Sequence, residues 1–505
     1  MRIKPGIMKL DLSLVPEPVK RLQEILGPEK PYVVGGILRD TLEKADFSPE
    51  GIITRVAGND WDFATPLHPR EVLTRLRRAG ITAAPIGFEH GTVAAVIEGV
   101  SYEITTFRFD LEYRDGRHPT VRFAQSLEED LQRRDFTVNA LALDLDTGEI
   151  LDLFDGIQDL RERIIRTVGD PEIRFREDHL RMLRAARFAA KLEGRIEPET
   201  HSAIVRNAPL IQNISPERIR EEILKLLSCR RPSLGFEWMH ATGLLLYILP
   251  ELEMGYGVGQ NRFHADDVAR HTLHAVDALD PRYPFWRFVT LMHDLGKIPA
   301  KRYLPRKGDY VFYGHQYISK RLTRRIMRRL RFSNKEIETA ASIVENHMYN
   351  LKPGLSEGAS RRFIRKLGRE NVEGFLRMRM ADRKGNHLNE DGYEKGIFHF
   401  VRTVRKIDRA EDALTVQKLR INGYDLMNLG LKPGPIFSQI LNSLLEDVLD
   451  HPALNDRDYL LDRARAMAEE YLRTGSLPIH PKPAEWEDEE ENEAGEEKNR
   501  RKGSE

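Results

Sequence analysis

Near Asp170 the chain changes the period of its hydrophobic pattern, so its fold must join a sheet-bearing part to a helical one. Before that point lie short β-rich runs: YVVGG from Tyr32, DFAT from Asp62, GTVAAVIEG from Gly91, and SYEITTFRF from Ser101, which alternates as a half-buried strand does. After it the alternation gives way to helical spacing, as in SPERIREEILKLLS from Ser215, a Ser-Pro-Glu start followed by apolar residues at helical period. The expected fold class is α+β: a head with a mixed sheet over residues 1–165, followed by all-α domains.

The 505 residues suffice for several cores. Charged residues make up 31% yet the formal net charge is zero, so no global field draws the chain to nucleic acid or membrane, and any nucleic-acid surface must be local. The single cysteine, Cys229, excludes an intramolecular disulfide framework and a cysteine-rich zinc site, and reads as a buried small side chain. No apolar run reaches bilayer length, and the start MRIKPGIMKLDLSL lacks the core of a signal peptide, so a cytoplasmic protein is expected, with no membrane partner. Residues 481–505 hold too few apolar side chains to bury anything, and disorder is expected there. Residues 107–123, FRFDLEYRDGRHPTVRF, are dense in charge around Gly116 and Pro119 and read as a mobile loop that can gate a reaction centre.

Several motifs carry chemistry. Gly35 and Gly36 follow the apolar run PYVV, with Arg39 and Asp40 on the first turn of a helix; small residues and a helix N-terminus admit a phosphate, and Arg39 can reach its oxygens. Asp60 and Asp62 flank Trp61, and strand alternation sends both carboxylates to one face, which suits magnesium; Glu103 is a candidate third ligand. The run QRRDFTVNALAL brings Arg133, Arg134, Asp135 and Asn139 together, and an arginine here can hold ribose or phosphate. Asp178 lies three residues before Arg181 in DPEIRFREDHLRMLRAARFAAK, a spacing that shares one helix face. One acceptor beside a fork of donors matches the amino donor and ring-nitrogen acceptor that cytosine and adenine share. Uracil and guanine would set like against like, leaving buried groups unpaired at roughly 1–3 kcal/mol each. Taken singly, each motif also fits a plain turn, a strand edge, a capped helix or a surface ion pair.

In this order, GGILRD, DWD, RRDFTVNAL, EDHLRMLRAARF and SPERIREEI closely resemble the class II tRNA nucleotidyltransferases of bacteria, the CCA-adding enzymes. The resemblance implies a nucleotidyltransferase head of the polymerase-β type, a helical neck and RNA- or nucleotide-binding domain over 166–255, and body and tail domains. It implies that Gly36 and Arg39 contact the triphosphate, that Asp60 and Asp62 are catalytic and bind Mg2+, and that Arg134 binds nucleotide. It further implies that Asp178 and Arg181 read the base and that Arg184 and Arg187 complete the pocket, although an ideal helix puts Arg187 about 180° from Asp178. The implied partners are tRNA, CTP and ATP, with no DNA, and the chain between Asp40 and Asp60 is about ten residues longer than the family connection. Family members restricted to CC addition tend to lack the loop that residues 107–123 supply, so its presence favours full CCA or A addition.

A second constellation follows. His271 opens HTLHAVDAL, and FVTLMHDLGK places His293 and Asp294 side by side; buried on helix ends, such groups are costly unless they bind something. With Asp382 in RMADRKG they resemble the H…HD…D signature of HD phosphohydrolases, over an expected domain of 256–405. His315 and His347 fall where some HD domains add ligands for a second metal, and His274 can replace His271 only in another register. The implied cofactor is a divalent transition metal or Mg2+. Beyond it, a tail domain is expected over 406–480, where an amphipathic helix ends near Leu449 and Lys418, Arg420 and Lys432 are candidates for tRNA phosphates. The main expectation is CCA addition with an appended HD hydrolase. The alternatives are an A-adding enzyme, then a poly(A) polymerase, then a metal-dependent phosphohydrolase whose head only binds nucleotide.

Overall fold

The computed structural model describes residues 8–45, 51–113, 119–124, 126–262, 265–351, 354–386 and 393–477. The expected disorder of 481–505, the tip of the 107–123 segment at 114–118, and residues 46–50 of the long connection lie outside the described residues. Two compact units form: Met1–Tyr256 with Asp280–Phe288 and Arg329–Arg331, and Gly257–Leu279 with Val289–Arg328 and Phe332–Glu505.

The head of the first unit is a seven-stranded sheet in the order Ile150–Asp152, Leu141–Asp144, Tyr32–Val34, Asp62–Thr65, Val100–Thr106, Thr92–Ile97, Thr82–Gly87. Neighbours are antiparallel except Asp62–Thr65 and Val100–Thr106, which run parallel, so the sheet is mixed as expected. This register positions the chemistry. Val34 pairs with Asp62 and Phe63 with Ile104, which puts Glu103 next to Asp62 and delivers the chain to Gly35 beside both. Alternation holds the strands down, for Val33, Phe63 and Ile104 are fully buried.

Residues 107–123, expected as a loop, contain an antiparallel ribbon of Arg108–Tyr113 with Pro119–Phe123, pairing Arg108 with Phe123. Their charge density hid an alternation that the backbone uses. After Asp170, helices Pro171–Glu177, Leu180–Lys191, Pro198–Asn207 and Pro216–Leu227 follow, three of them opened by proline, whose fixed φ suits a first turn. Asp170 and Glu197 cap theirs through side-chain oxygens, whereas Ser215 makes no side-chain cap. Cys229 is buried as expected, and burial pushes its thiol up to about 11.

The second unit is helical, with one hairpin, Arg302–Leu304 against Asp309–Val311, that the helical reading did not include. Gly308, at φ +62°, lies in the turn, and Tyr303 faces Tyr310 across the strands. The expected amphipathic helix is Pro435–Asp450, packed with Arg457–Thr474 around Ile440, Leu444, Leu445 and Leu460. No helix among the described residues is long and apolar enough to cross a membrane.

One close approach fixes how the RRDFTVNAL segment sits on the sheet. A Cβ on Gly156 would lie 2.2 Å from the Thr137 carbonyl oxygen, and the Gly156 amide donates to Asp152 Oδ1 at 2.8 Å. Gly156→Ala is therefore expected to destabilise the head by roughly 1–3 kcal/mol, read as an earlier urea midpoint at unchanged slope.

Candidate functional site

In the first unit, Gly35 and Gly36 line a cavity of about 440 Å³ together with Arg39, Asp62, Arg134, Asp178, Arg181 and Arg184. Gly35 sits at φ +89°, and a Cβ there would come 3.1 Å from Asp62 Oδ2, so the turn needs glycine for both reasons. It caps helix Gly36–Lys44, whose first turns carry Arg39 and Asp40 as expected.

Arg39 is buried and fully engaged. It donates to Asp40 Oδ1 through Nε at 2.8 Å and to Asn139 Oδ1 through Nη1 at 2.5 Å. Asn139 Nδ2 donates to Asp135 Oδ1 at 2.9 Å, and Asp135 Oδ2 accepts from Arg184 Nε at 2.7 Å. Asp40 in turn accepts from Lys191 Nζ at 2.8 Å. Arg184 and Lys191 belong to one helix, Leu180–Lys191, so the chain of bonds closes on itself. Burial acts against the Asp135 carboxylate, but Arg184, Asn139 and Arg181 outweigh it and hold the group well below the usual range.

Asp130, fully buried, holds both Arg133 and Arg134, at 2.8 and 3.3 Å. Nε of Arg134 and Nη1 of Arg218 are buried with no partner, and both residues line the cavity. Unpaired buried donors are costly until an acceptor such as a phosphate or base arrives.

Asp178 and Arg181 both line this cavity, but they do not share a helix face as the spacing predicted. Asp178 is extended (φ −142°, ψ 106°) between helices Pro171–Glu177 and Leu180–Lys191. Its Oδ1 accepts from the Leu180 amide at 3.0 Å, a capping role that aspartate favours over a helix interior. Its Oδ2 accepts from Arg218 Nη2 at 2.8 Å. Arg181 donates to Glu177 Oε2 at 2.6 Å and to the Arg133 carbonyl at 3.0 Å. Arg187 is not brought to the cavity; its Nε pairs with buried Glu222, and its guanidinium lies 4.0 Å over the Phe188 ring. Arg39 and Arg184 flank the same ring at 4.8 and 5.4 Å.

Asp60 is exposed just before the strand that opens at Asp62. Burial first, then the charges of Asp60 and Glu103, push the Asp62 carboxyl up to about 7 against the pull of Arg134. Carboxylates that raise one another in this way suit a hard dication. Asp60, Asp62 and Glu103 do not gather within 4.8 Å of one another, however, which fits Mg2+ held by one or two carboxylates plus substrate phosphates.

The second unit holds a denser cluster. His271, His293, Asp294 and Asp382 bring their ligand atoms within 4.8 Å of one another, and so do Asp294, His315 and His347. Asp294 belongs to both groups: Oδ2 lies 3.4 Å from His271 Nε2 and 3.2 Å from His293 Nε2, while Oδ1 lies 3.4 Å from His315 Nε2 and 3.5 Å from His347 Nε2. Close packing makes this possible. A Cβ on Gly296 would sit 2.2 Å from the His315 carbonyl oxygen, and one on Gly385 2.5 Å from the Ala275 nitrogen.

Nδ1 of His293, His315 and His347 each meets the carbonyl three residues earlier, at 2.6, 2.9 and 2.7 Å. These backbone bonds to Nδ1 aim the Nε2 edge of all three rings inward, the orientation that a second-sphere bond gives a metal-ligating imidazole. His293 Nε2 and Asp294 Oδ1 are buried without a hydrogen bond, so the donor set fits a cation. Burial disfavours the His293 imidazolium, yet the Asp294 carboxylate outweighs it and holds the group up to about 10; burial, then the neighbouring His315, push His347 down to about 4. His274 lies outside the cluster, 3.0 Å from Asp266, which leaves the position to His271. Phe188, Arg218 and Lys297, whose Nζ lies 2.7 Å from Asp294 Oδ2, sit inside the sequence motifs but carry no distinguishing spacing.

Three family models match: "Poly A polymerase head domain" over residues 31–166, "Probable RNA and SrmB- binding site of polymerase A" over 195–255, and "tRNA nucleotidyltransferase domain 2 putative" over 315–464. The CCA-adding enzyme of Ligilactobacillus salivarius is 32% identical over 444 residues, 87% of this chain and 93% of that one. That of Limosilactobacillus reuteri is 44% identical over 248 residues, 46% of this chain, and the match spans 57% of that relative's length. A solved Bacillus stearothermophilus CCA-adding enzyme in complex with CTP superposes with a TM-score of 0.67 at 28% identity, covering 91% of this chain and 99% of that one. A Thermotoga maritima CCA-adding enzyme complexed with tRNA shares the fold, with a TM-score of 0.53 at 20% identity over 90% of this chain and 97% of that one.

The Asp135 contacts yield a pH test. Because its folded pKa is depressed, its stabilisation is present above the unfolded value of about 4 and is lost as pH falls through the lower folded value. Asp135→Asn is expected to cost roughly 3 kcal/mol at pH 7. The gap between variant and wild type in denaturant titrations should shrink steadily below pH 4.

Proposed function

The chain belongs to the family of CCA-adding enzymes, and from that premise we propose that it adds C, C and A to the 3′ end of tRNA from CTP and ATP without a nucleic-acid template, releasing pyrophosphate. The observation that carries this is the single cavity that unites Gly35, Gly36, Arg39, Asp62 and Arg134 with Asp178 and Arg181. The glycine turn and helix N-terminus receive the triphosphate, and Arg134 offers it an unpaired Nε. Asp60 and Asp62 would hold magnesium, which when bound neutralises phosphate charge and favours ionisation of the attacking hydroxyl. Asp178 and Arg181 meet the base edge: two lone-pair sites of the carboxylate are taken by Leu180 and Arg218, and the others remain for an amino group. Arg218 thus orients the reading carboxylate. Arg184 stands in this pocket; Arg187 acts behind it, through Phe188 and Glu222.

A second activity is favoured by the pinned imidazoles and shared Asp294 of the second unit: an HD-type metal-dependent phosphohydrolase. His271, His293, Asp294 and Asp382 would hold one divalent ion and Asp294, His315 and His347 a second, a nitrogen-rich set that suits a transition metal. Such ions, when bound, polarise a phosphoester and acidify water. The chain's own part is to fix the ligands and exclude bulk solvent, as His271, His293, Asp294, His315 and His347 are all buried.

For the first activity, tRNA transcripts ending before CCA, after C and after CC are incubated with magnesium and CTP, ATP or both. All three are expected to be completed to CCA, and Asp62→Asn should lose at least a thousandfold in rate. Extension of the CC-ended transcript alone would indicate an A-adding enzyme, and long A tails a poly(A) polymerase. For the second, Asp294→Ala should abolish phosphate release from 2′,3′-cyclic or 2′-phosphate ends and lower the bound transition metal measured by mass spectrometry, while CCA addition persists. Loss of both activities together would refute independent sites.

A further inference from the structure

Helix Tyr393–Ala410 of the second unit carries a surface that neither site uses. Its inner face is apolar, with Ile397, Phe400, Val404 and Ile407 buried. On the other face Phe398 is 67% exposed. Lys395, Arg402, Arg405 and Arg409 lie three residues before it and four, seven and eleven after it. At 100° per residue these five side chains fall within an arc of about 80° and extend about 21 Å along the helix.

Arg402, Arg405, Lys406 and Arg409 line a groove of about 540 Å³. Lys406 is paired with Glu357, and Asp408, a carboxylate beside the row, is held by Arg369. Lys395, Arg402, Arg405 and Arg409 make no ion pair among the described residues. An ordinary solvated helix face intersperses both signs at i and i+4, and the helices around this one do so, as at Arg361 with Glu357 and Arg377 with Glu373. A row of one sign with an aromatic set into it is different. Guanidinium forks match successive phosphates, and an exposed ring offers a face for a base or ribose. With the formal net charge zero, such a row is a local basic surface of the kind that polyanion binding requires of this chain.

We propose that this face of helix Tyr393–Ala410 docks the phosphate backbone of the tRNA substrate, with Arg402, Arg405 and Arg409 on phosphates and Phe398 against a base or ribose. The proposal rests on the tRNA-directed reading given above.

The test measures binding of a tRNA transcript lacking CCA to the full chain across graded KCl, alongside steady-state nucleotide addition. The triple variant Arg402→Gln, Arg405→Gln, Arg409→Gln should bind at least tenfold more weakly at low salt. Its slope of log affinity against log salt should fall by roughly 2–3, since three fewer phosphates are neutralised. Phe398→Ala should weaken binding severalfold at an unchanged slope, because an apolar contact releases no counterions. In both, the loss should fall on KM for tRNA rather than on KM for CTP. A control, Arg463→Gln with Arg465→Gln, removes charge from the exposed side of helix Arg457–Thr474 and should leave the slope as it was. Wild-type affinity and slope in the triple variant, with wild-type addition intact, would overturn the proposal; that is also the result if the row serves an acidic protein. If the wild-type chain neither binds nor extends tRNA, the functional reading fails and this proposal fails with it. Should the triple variant not fold, the Phe398→Ala result decides.

Discussion

A closed circuit of bonds underlies the nucleotide site: Arg184 to Asp135, Asp135 to Asn139, Asn139 to Arg39, Arg39 to Asp40, and Asp40 to Lys191. It joins helix Gly36–Lys44, the turn before strand Leu141–Asp144, and helix Leu180–Lys191. Removing Asp135 takes the carboxylate from Arg184 and the acceptor from Asn139 at once, and breaking a buried pair in this way is far more costly than never having built it. The circuit therefore fixes how the Gly35–Gly36 turn sits against the helix that carries Arg181. Such rigidity is what the proposed discrimination between base edges would require, because a loosely held carboxylate could swing to accept either pattern.

The two metal-competent sites differ in how complete they are. The second unit's cluster is preassembled, with its imidazoles oriented by backbone carbonyls and its shared carboxylate already central. The head's carboxylates stay further apart, and one of them is exposed. A resident ion needs a full donor set from the protein, whereas an ion that arrives with a triphosphate takes much of its coordination from the substrate.

Much was legible in the linear pattern. The strands at Tyr32, Asp62 and Gly91 and the helix at Ser215 follow from period and punctuation, and the short motifs contained most of the residues that line the cavity. Two kinds of error arose. The charges of residues 108–113 and 119–123 mask their ribbon, and the spacing of Asp178 to Arg181 fits a continuous helix that the chain does not form. A capping aspartate reads the same as a helical one in sequence, since both precede an apolar periodic run; only its bond to the Leu180 amide separates them.

The sequence by itself determined the chemical alphabet: glycines at the turn, an Asp-x-Asp pair, arginines at fixed intervals, and a histidine-aspartate pair too polar to be buried idly. Local rules suffice there, because the turn, the alternation and the caps depend on near neighbours. Tertiary structure alone decided which of these groups meet. Arg187 turned to Glu222 while Arg184 turned to Asp135, three residues apart on one helix, and Asp294 came to stand between two sets of histidines drawn from four segments. Those choices rest on contacts between residues from 21 to 111 positions apart, where burial and ion pairing, rather than spacing, set the outcome.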